Sequence, residues 1–393
     1  MNTDKTVRYH RLKRRAAIAS TAGAAAVLLA LVATGASAQL RAAVASLLGA
    51  RADPSAPAVI AAFVTLLAVI LYSASLPLAW YSGFMLERRY ALLDESAARW
   101  LLDSSKGFAL GLLLGTAGAE LMYLAIRHVP RFWWVAAGVV FGAGLLLLAR
   151  AAPVLLLPLF YRFAPLDRPE LAARLRELTD RAGLPAIDVR VWGLGEKSRR
   201  ANAALVGVGR TRRILLSDTL LAGYTDDEIE VVLAHELAHH AHRDVLAAVA
   251  AQSAVLTAGL AAGAGLLALA LRSRLAPGIL GPGDVAGLPL ILLGVGAVST
   301  ALTPLVNALS RRHEHRADAF ALRLTLRPAA FISAMRRLGA QNLAEPHPSR
   351  LALWLFHSHP SLEERVARAR AFEMSAASER PAARASAGSD RPA

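Results

Sequence analysis

His235-Glu236-Leu237-Ala238-His239, followed within a few residues by the apolar run Val245–Leu271, decides how this chain is read. On a helix, positions i and i+4 share one face, so His235 and His239 can grip one metal ion. Glu236 stands beside them, placed to take a proton from a metal-bound water. The pattern is that of zinc hydrolases, and here it stands at the entrance of a membrane helix.

Two imidazoles do not complete a catalytic zinc site. It needs three protein ligands and one open position. A further His six residues past His239 would mark one known arrangement, but that residue is Val245. His240 and His242 project to other faces of the helix and read as surface histidines. The better third ligand is Glu314, in Ser310-Arg-Arg-His-Glu-His-Arg-Ala-Asp318. Asp318 follows it by one helical turn and can fix the tautomer of a ligand imidazole. Val245–Leu271 and Leu288–Leu309 are two antiparallel crossings, which return the chain to the side it left. His239 and Glu314 therefore emerge at one depth on one side of the membrane.

Composition agrees with a membrane protein. The 393 residues are 55% hydrophobic, with no cysteine and a formal net charge of +15. Mean hydropathy is +0.42, too apolar for an ordinary soluble domain of this length. The missing cysteines exclude disulfides, thiolate zinc sites and a cysteine nucleophile. The positive charge reads as membrane topology plus a basic tail, and no pattern supports nucleic-acid binding.

The sequence predicts six spans: Ala16–Ala36, Ala58–Trp80, Phe108–Ile126, Phe132–Leu148, Val245–Leu271 and Leu288–Leu309. Pro153–Tyr161 either extends the fourth or forms a short segment of its own. Ala36-Ser37-Ala38 resembles a signal cleavage site, but a retained first span suits the charges better. Arg8, Arg11, Lys13, Arg14 and Arg15 then lie inside, as do Arg88, Arg89, Arg99 and Lys106. Both termini and both hydrophilic blocks fall in the cytoplasm, in what is expected to be a bacterial cytoplasmic membrane.

The fold class is thus mainly α: a polytopic helical membrane protein with a zincin-like cytoplasmic catalytic domain containing a small β-sheet. Residues 1–161 hold about four spans, and 162–244 form a catalytic block with the His235 helix. Residues 245–309 are a transmembrane hairpin, 310–373 a second block with the third ligand, and 374–393 a disordered tail. Within the first block, Asp167 is expected to cap a helix from Pro169 to about Ala182, stopped by Gly183. Asp188–Trp192 reads as a strand, and Ala203–Val208 with Arg213–Ser217 as a hairpin across Gly209-Arg210-Thr211. Thr225 and Glu228 form a capping box ahead of His235. The second block reads as helical, broken at Pro328, Gly339 and Pro346–Pro348. Glu120 is a carboxylate inside an apolar run, a functional signal by default. It also stands about two turns from Arg127, so pairing or snorkelling there is an equal reading.

Further phrases carry a resemblance: Pro158-Leu-Phe-Tyr-Arg-Phe-Ala-Pro165, Ala201-Asn-Ala-Ala204, Ser217-Asp-Thr-Leu-Leu221, His242-Arg-Asp244 and Ser358-His-Pro-Ser-Leu-Glu-Glu-Arg365. With the two motifs above, they make Tyr90 to Phe372 resemble the type I CAAX prenyl endopeptidases. These are integral-membrane zinc metalloproteases of the gluzincin kind, with HtpX-like bacterial relatives. The resemblance implies one zinc ion on His235, His239 and Glu314, with Glu236 as acid/base and Asp318 orienting a ligand. It puts Asn202 beside an edge strand that holds the substrate backbone, and His359 near the developing oxyanion. The family often has aromatic residues after the asparagine, where this chain has Ala203-Ala204-Leu205. The expected partners are the bilayer and a peptide or protein substrate, lipidated or membrane-bound. An HtpX-like quality-control protease is the alternative. A metal-containing transporter is a weaker one, since Glu120, Gln252 and a few Ser/Thr in the spans offer little to line a path. An intramembrane site-2-type protease would bury its zinc helix in an apolar span. Here that helix opens with Asp226, Asp227, Glu228 and Glu230, in water.

Overall fold

Inside a bilayer, every backbone N–H and C=O must be satisfied within its own segment, so apolar runs become helices. The computed structural model describes residues 3–49, 53, 56–184, 188–206 and 212–387. Among them are six helices long and apolar enough to cross a membrane: Asp4–Ala33, Pro57–Arg89, Ala97–His128, Trp133–Ala151, Asp244–Ser273 and Val285–Thr325. Each coincides with one expected span, and most run beyond its apolar stretch. The chain forms two compact units, one of residues 9–148 and 246–304, the other of 1–8, 149–245 and 305–393.

The first unit is the membrane bundle. It contains most of α1 (Thr3–Ala33), then α2 (Ala36–Leu47) and α3 (Pro57–Trp80). A π-helical turn at Tyr81–Met85 leads from α3 into α4 (Leu86–Arg89). α5 (Ala97–His128), α6 (Trp133–Ala151) and the apolar parts of α11 (Asp244–Ser273) and α12 (Leu288–Thr325) complete it. Ile60, Phe63 and Tyr123 are fully buried in its core. Leu113, Val139 and Leu147 are exposed, as lipid-facing side chains are.

Helix α2 was not expected from the sequence. Its Ser37, inside the cleavage-like Ala36-Ser37-Ala38, is buried and donates to the Ala286 carbonyl at 2.7 Å. Arg41 of α2 pairs with Asp284 at 2.9 Å. Near the other end of the unit, Tyr9 and Lys13 both donate to Glu87 at 2.7 Å.

α11 and α12 approach so closely that glycine is required. A Cβ on Gly294 would sit 2.3 Å from the Gly263 backbone nitrogen, and one on Gly263 would sit 2.7 Å from the Ile291 Cα. Without a hydrophobic drive between helices in lipid, such backbone contact gains dispersion instead.

The second unit carries the sheet. After a π-helical turn at Ala152–Leu156 and α7 (Leu157–Phe160), which extend α6, comes β1 (Phe163–Pro165). α8 (Pro169–Arg181), β2 (Asp188–Trp192), β3 (Ala203–Val206) and β4 (Arg213–Ser217) follow. The strand order is β1-β2-β4-β3, with β2 parallel to β4 and the outer pairs antiparallel. β4 is central, and its Ile214, Leu215 and Leu216 are buried. The expected hairpin of β3 and β4 is present, while its expected turn residues lie outside the described residues. α9 (Asp218–Gly223) and α10 (Asp226–Ala241) follow, and α13 (Pro328–Gln341), α14 (Arg350–Phe356) and α15 (Leu362–Ala387) complete the unit.

Two local expectations need correction, and two expected domain bounds meet continuous helix. The N-cap of α8 is Arg168, with no side-chain cap. Pro169 supplies the start instead, since it lacks one of the N–H groups a cap would satisfy. Gly339 does not break α13; it lies inside, because the Leu362 side chain packs where a Cβ would stand, at 2.7 Å. The border at residues 309 and 310 falls within the continuous α12. α15 runs to Ala387, across residues read as a tail; their Ala, Arg and Glu are strong helix formers.

The glycine contact is testable. Gly294→Ala should cost about 1–3 kcal/mol through overpacking and lower the melting temperature in detergent. Gly296→Ala, with open space around its Cβ position, should leave that temperature unchanged.

Candidate metal centre

α10 begins with the expected capping box. Thr225 Oγ accepts from the Glu228 N–H, and the Glu228 carboxylate accepts from the Thr225 N–H at 2.8 Å. Burial pushes the Glu228 carboxyl up. Hydrogen bonds from Ser333 and Thr225 and the charge of Arg337 outweigh this and hold it below the usual range. From Ile229 to Ala234 the helix is buried on every side. Its apolar contacts come from the sheet and α8 on one side and from Phe331, Ala334 and Met335 of α13 on another. That packing fixes the rotation of α10 and hence the direction of its histidines.

His235 and His239 stand one turn apart, with ring centroids 5.0 Å apart and planes nearly perpendicular. Both aim Nε2 at Glu314 of α12. His235 Nε2 lies 3.3 Å from Glu314 Oε2, and His239 Nε2 lies 3.5 Å from Oε1. One donor atom from each of the three residues falls within 4.8 Å of the others.

Each Nδ1 is held from behind. His235 Nδ1 is 2.9 Å from Asp318 Oδ1. Arg365 of α15 grips Asp318 with two hydrogen bonds, Nε to Oδ2 at 2.9 Å and a terminal nitrogen to Oδ1 at 2.5 Å. His239 Nδ1 is 3.0 Å from Asp244 Oδ2.

The donor set fits a metal ion. Glu314 Oε2 is buried, and among the described residues it has no hydrogen bond, although two imidazole nitrogens approach it. A buried acceptor without a donor carries a desolvation penalty, and a cation removes it. Burial alone would make the His235 imidazole harder to protonate. The Asp318 and Glu314 carboxylates prevail and hold it up at about 9, so the pocket favours positive charge. Burial pushes the Glu236 carboxyl up; His235 and His239 oppose this, and Glu314 adds to it.

His359 also reaches the cluster. Its Nδ1 lies 2.9 Å from Glu314 Oε2, and the side chain is 63% exposed. α14 delivers it: Asn307 and Arg311 of α12 donate to the carbonyls of Leu355, Leu353 and His357. Asn202 stands one residue before β3 with an exposed side chain. Its backbone pairs with Ser217, whose N–H donates to the Asn202 carbonyl at 2.9 Å and whose Oγ accepts from the Asn202 N–H. Among the described residues, the Asn202 side chain makes no hydrogen bond to the cluster. His240, expected as a surface residue, is instead half-buried, with Nε2 2.6 Å from the Leu205 carbonyl of β3. His242 packs edge-on against Phe320.

Sequence reading missed Asp244, Arg316 and Arg365. Arg365 and Asp244 each end a phrase of the resemblance, and Asp244 follows His239 by five residues. That spacing is no helical neighbour, so nothing local announces the contact.

A helical membrane bundle with a His-His-Glu cluster beside a four-stranded sheet defines a membrane-embedded metallopeptidase. Comparison with known proteins agrees. The model of peptidase family M48 matches residues 165–373. A model described as the CAAX prenyl protease N-terminal region, five membrane helices, matches residues 2–162. The uncharacterized metalloprotease YhfN of Bacillus subtilis is 32% identical over 305 residues, 77% of this chain and 71% of that one. CAAX prenyl protease 1 of Saccharomyces cerevisiae is 28% identical, over 77% of this chain and 70% of its own. The crystal structure of Ste24p from S. mikatae superimposes with a TM-score of 0.79 at 25% identity, covering 93% of this chain and 87% of that one. The chain belongs to peptidase family M48, and it is an integral-membrane metalloendopeptidase.

The clamp behind His235 predicts a stability effect. Asp318→Ala leaves Arg365 buried and unpaired, which should cost about 3–5 kcal/mol. Denaturant unfolding of metal-free protein measures it.

Proposed function

We propose that this chain is a zinc endopeptidase of the CAAX-protease kind, embedded in a bacterial cytoplasmic membrane with its site facing the cytoplasm. The observation that carries the reading is the convergence of His235 Nε2, His239 Nε2 and the buried Glu314 carboxylate, with one donor atom from each within 4.8 Å of the others. These three residues would hold the ion. Zinc suits two imidazoles and a carboxylate. When bound, it supplies Lewis acidity to the scissile carbonyl and to the attacking water.

The chain's own residues divide the remaining work. Glu236 takes a proton from the attacking water and returns it to the leaving amine. Burial that weakens its acidity strengthens it as a base. Asp318 keeps His235 in the tautomer that presents Nε2. His359 is a donor to the developing oxyanion, worth about 3 kcal/mol in comparable sites. Asn202 and the outer edge of β3 hold the substrate as an added strand. Ser217 pairs with Asn202, so alternation in an antiparallel ladder turns both backbone groups of Ala203 and the N–H of Leu205 away from β4, while the Leu205 carbonyl on that edge is already met by His240. The substrate is a peptide segment, lipidated or membrane-bound. The yeast relative is CAAX prenyl protease 1.

Purified Glu236→Gln should retain one zinc per chain and lose peptidase activity by about 10²–10⁴-fold. His239→Ala should lose both zinc and activity. Elemental analysis with mass spectrometry of cleaved peptide reads the two outcomes. Full turnover by Glu236→Gln would defeat the mechanism. A prenylated CAAX peptide assayed beside an unfolded membrane protein separates CAAX processing from HtpX-like quality control.

A further inference from the structure

Asp244 is the first residue of α11, five positions past His239, and it is 5% exposed. A buried carboxylate demands partners, and those of Asp244 come from two helices. Oδ2 lies 3.0 Å from His239 Nδ1. Oδ1 accepts a hydrogen bond from Arg316 of α12, and His313 Nδ1 lies 3.7 Å from it. Arg316 is two residues from Glu314 on the same helix.

This repeats the arrangement behind the other imidazole. His235 is backed by Asp318, which Arg365 holds. His239 is backed by Asp244, which Arg316 holds. In both, a carboxylate faces Nδ1 and leaves Nε2 for the metal, and an arginine offsets the buried charge. The anchors differ. Arg365 is 14% exposed, whereas Arg316 is 50% exposed, so water competes for the second arginine.

We infer that Asp244 and Arg316 are positioning residues for the metal centre, forming a His239–Asp244–Arg316 relay that fixes the imidazole of His239 and ties α10 to the helix bearing Glu314. The inference rests on His235, His239 and Glu314 being the metal ligands. Loss of an outer carboxylate of this kind weakens metal binding by about 10–100-fold. The exposed arginine contributes less. It sets the geometry of Asp244, and a lysine can supply its charge.

The test uses the full-length protein in detergent. Zinc affinity is measured by competition with a chromogenic chelator for wild type, Asp244→Asn, Arg316→Gln and Arg316→Lys. The cobalt-substituted forms report ligand geometry through their visible absorption. Asp244→Asn should raise the zinc dissociation constant about 10–100-fold and shift the cobalt bands. Arg316→Gln should raise it less, and Arg316→Lys should recover part of that loss. Arg312→Ala, an exposed position on the same helix, should match wild type. A merely structural role would lower the melting temperature of the metal-free variants and leave affinity and cobalt spectrum unchanged. That result in Arg316→Gln, an exposed site where folding is not at stake, would overturn the relay even if Asp244→Asn failed to fold. Wild-type protein that takes up no zinc would overturn the metal reading itself, and the relay with it.

Discussion

A buried carboxylate between two imidazoles governs this structure. Glu314 is 5% exposed, and its Oε2 accepts no hydrogen bond among the described residues. Such an oxygen is costly unless a positive charge sits beside it. The surrounding architecture holds that arrangement against its own cost. The capping box fixes where α10 begins, the sheet and α13 fix its rotation, and α12 carries the carboxylate to meet it.

The two units answer different physical demands. In the membrane bundle, lipid removes the hydrophobic gain of joining apolar helices, and closeness replaces it. Gly263 and Gly294 let two backbones touch. In the catalytic unit, water restores the hydrophobic effect, and the core is an ordinary one of Leu, Ile and Phe around a sheet. α11 and α12 contribute to both units. Each therefore changes its packing rule along its length, with small residues in one part and paired charges in the other.

Much of this was legible in the sequence because its signals are periodic or local. Six apolar runs mark the six long helices, Thr225 and Glu228 announce a cap, and His235 with His239 share a face by spacing alone. Glu314 was legible because a pair of crossings returns the chain to the side it left. What escaped depends on distant contacts. Gly339 reads as a breaker until Leu362 is seen packed against it. Asp244 and Arg365 reach the histidines through tertiary geometry, for which spacing offers no guide. His240 reads as a surface residue until the Leu205 carbonyl appears at its ring. α2 is too short and too mixed in composition to stand out from a loop.

The burial of α10 from Glu228 to Ala238, broken only at the half-buried Glu236, has an evolutionary consequence. In most enzymes, reactive groups sit on loops that vary while a separate core provides stability. Here Leu233, Ala234, Leu237 and Ala238, all fully buried, alternate with the histidines along the same two turns. Trimming one of those side chains opens a cavity in the same two turns that carry the imidazoles. Drift in this stretch cannot be neutral for chemistry while altering stability alone. The buried stretch should therefore tolerate little variation, including at positions that never touch a substrate.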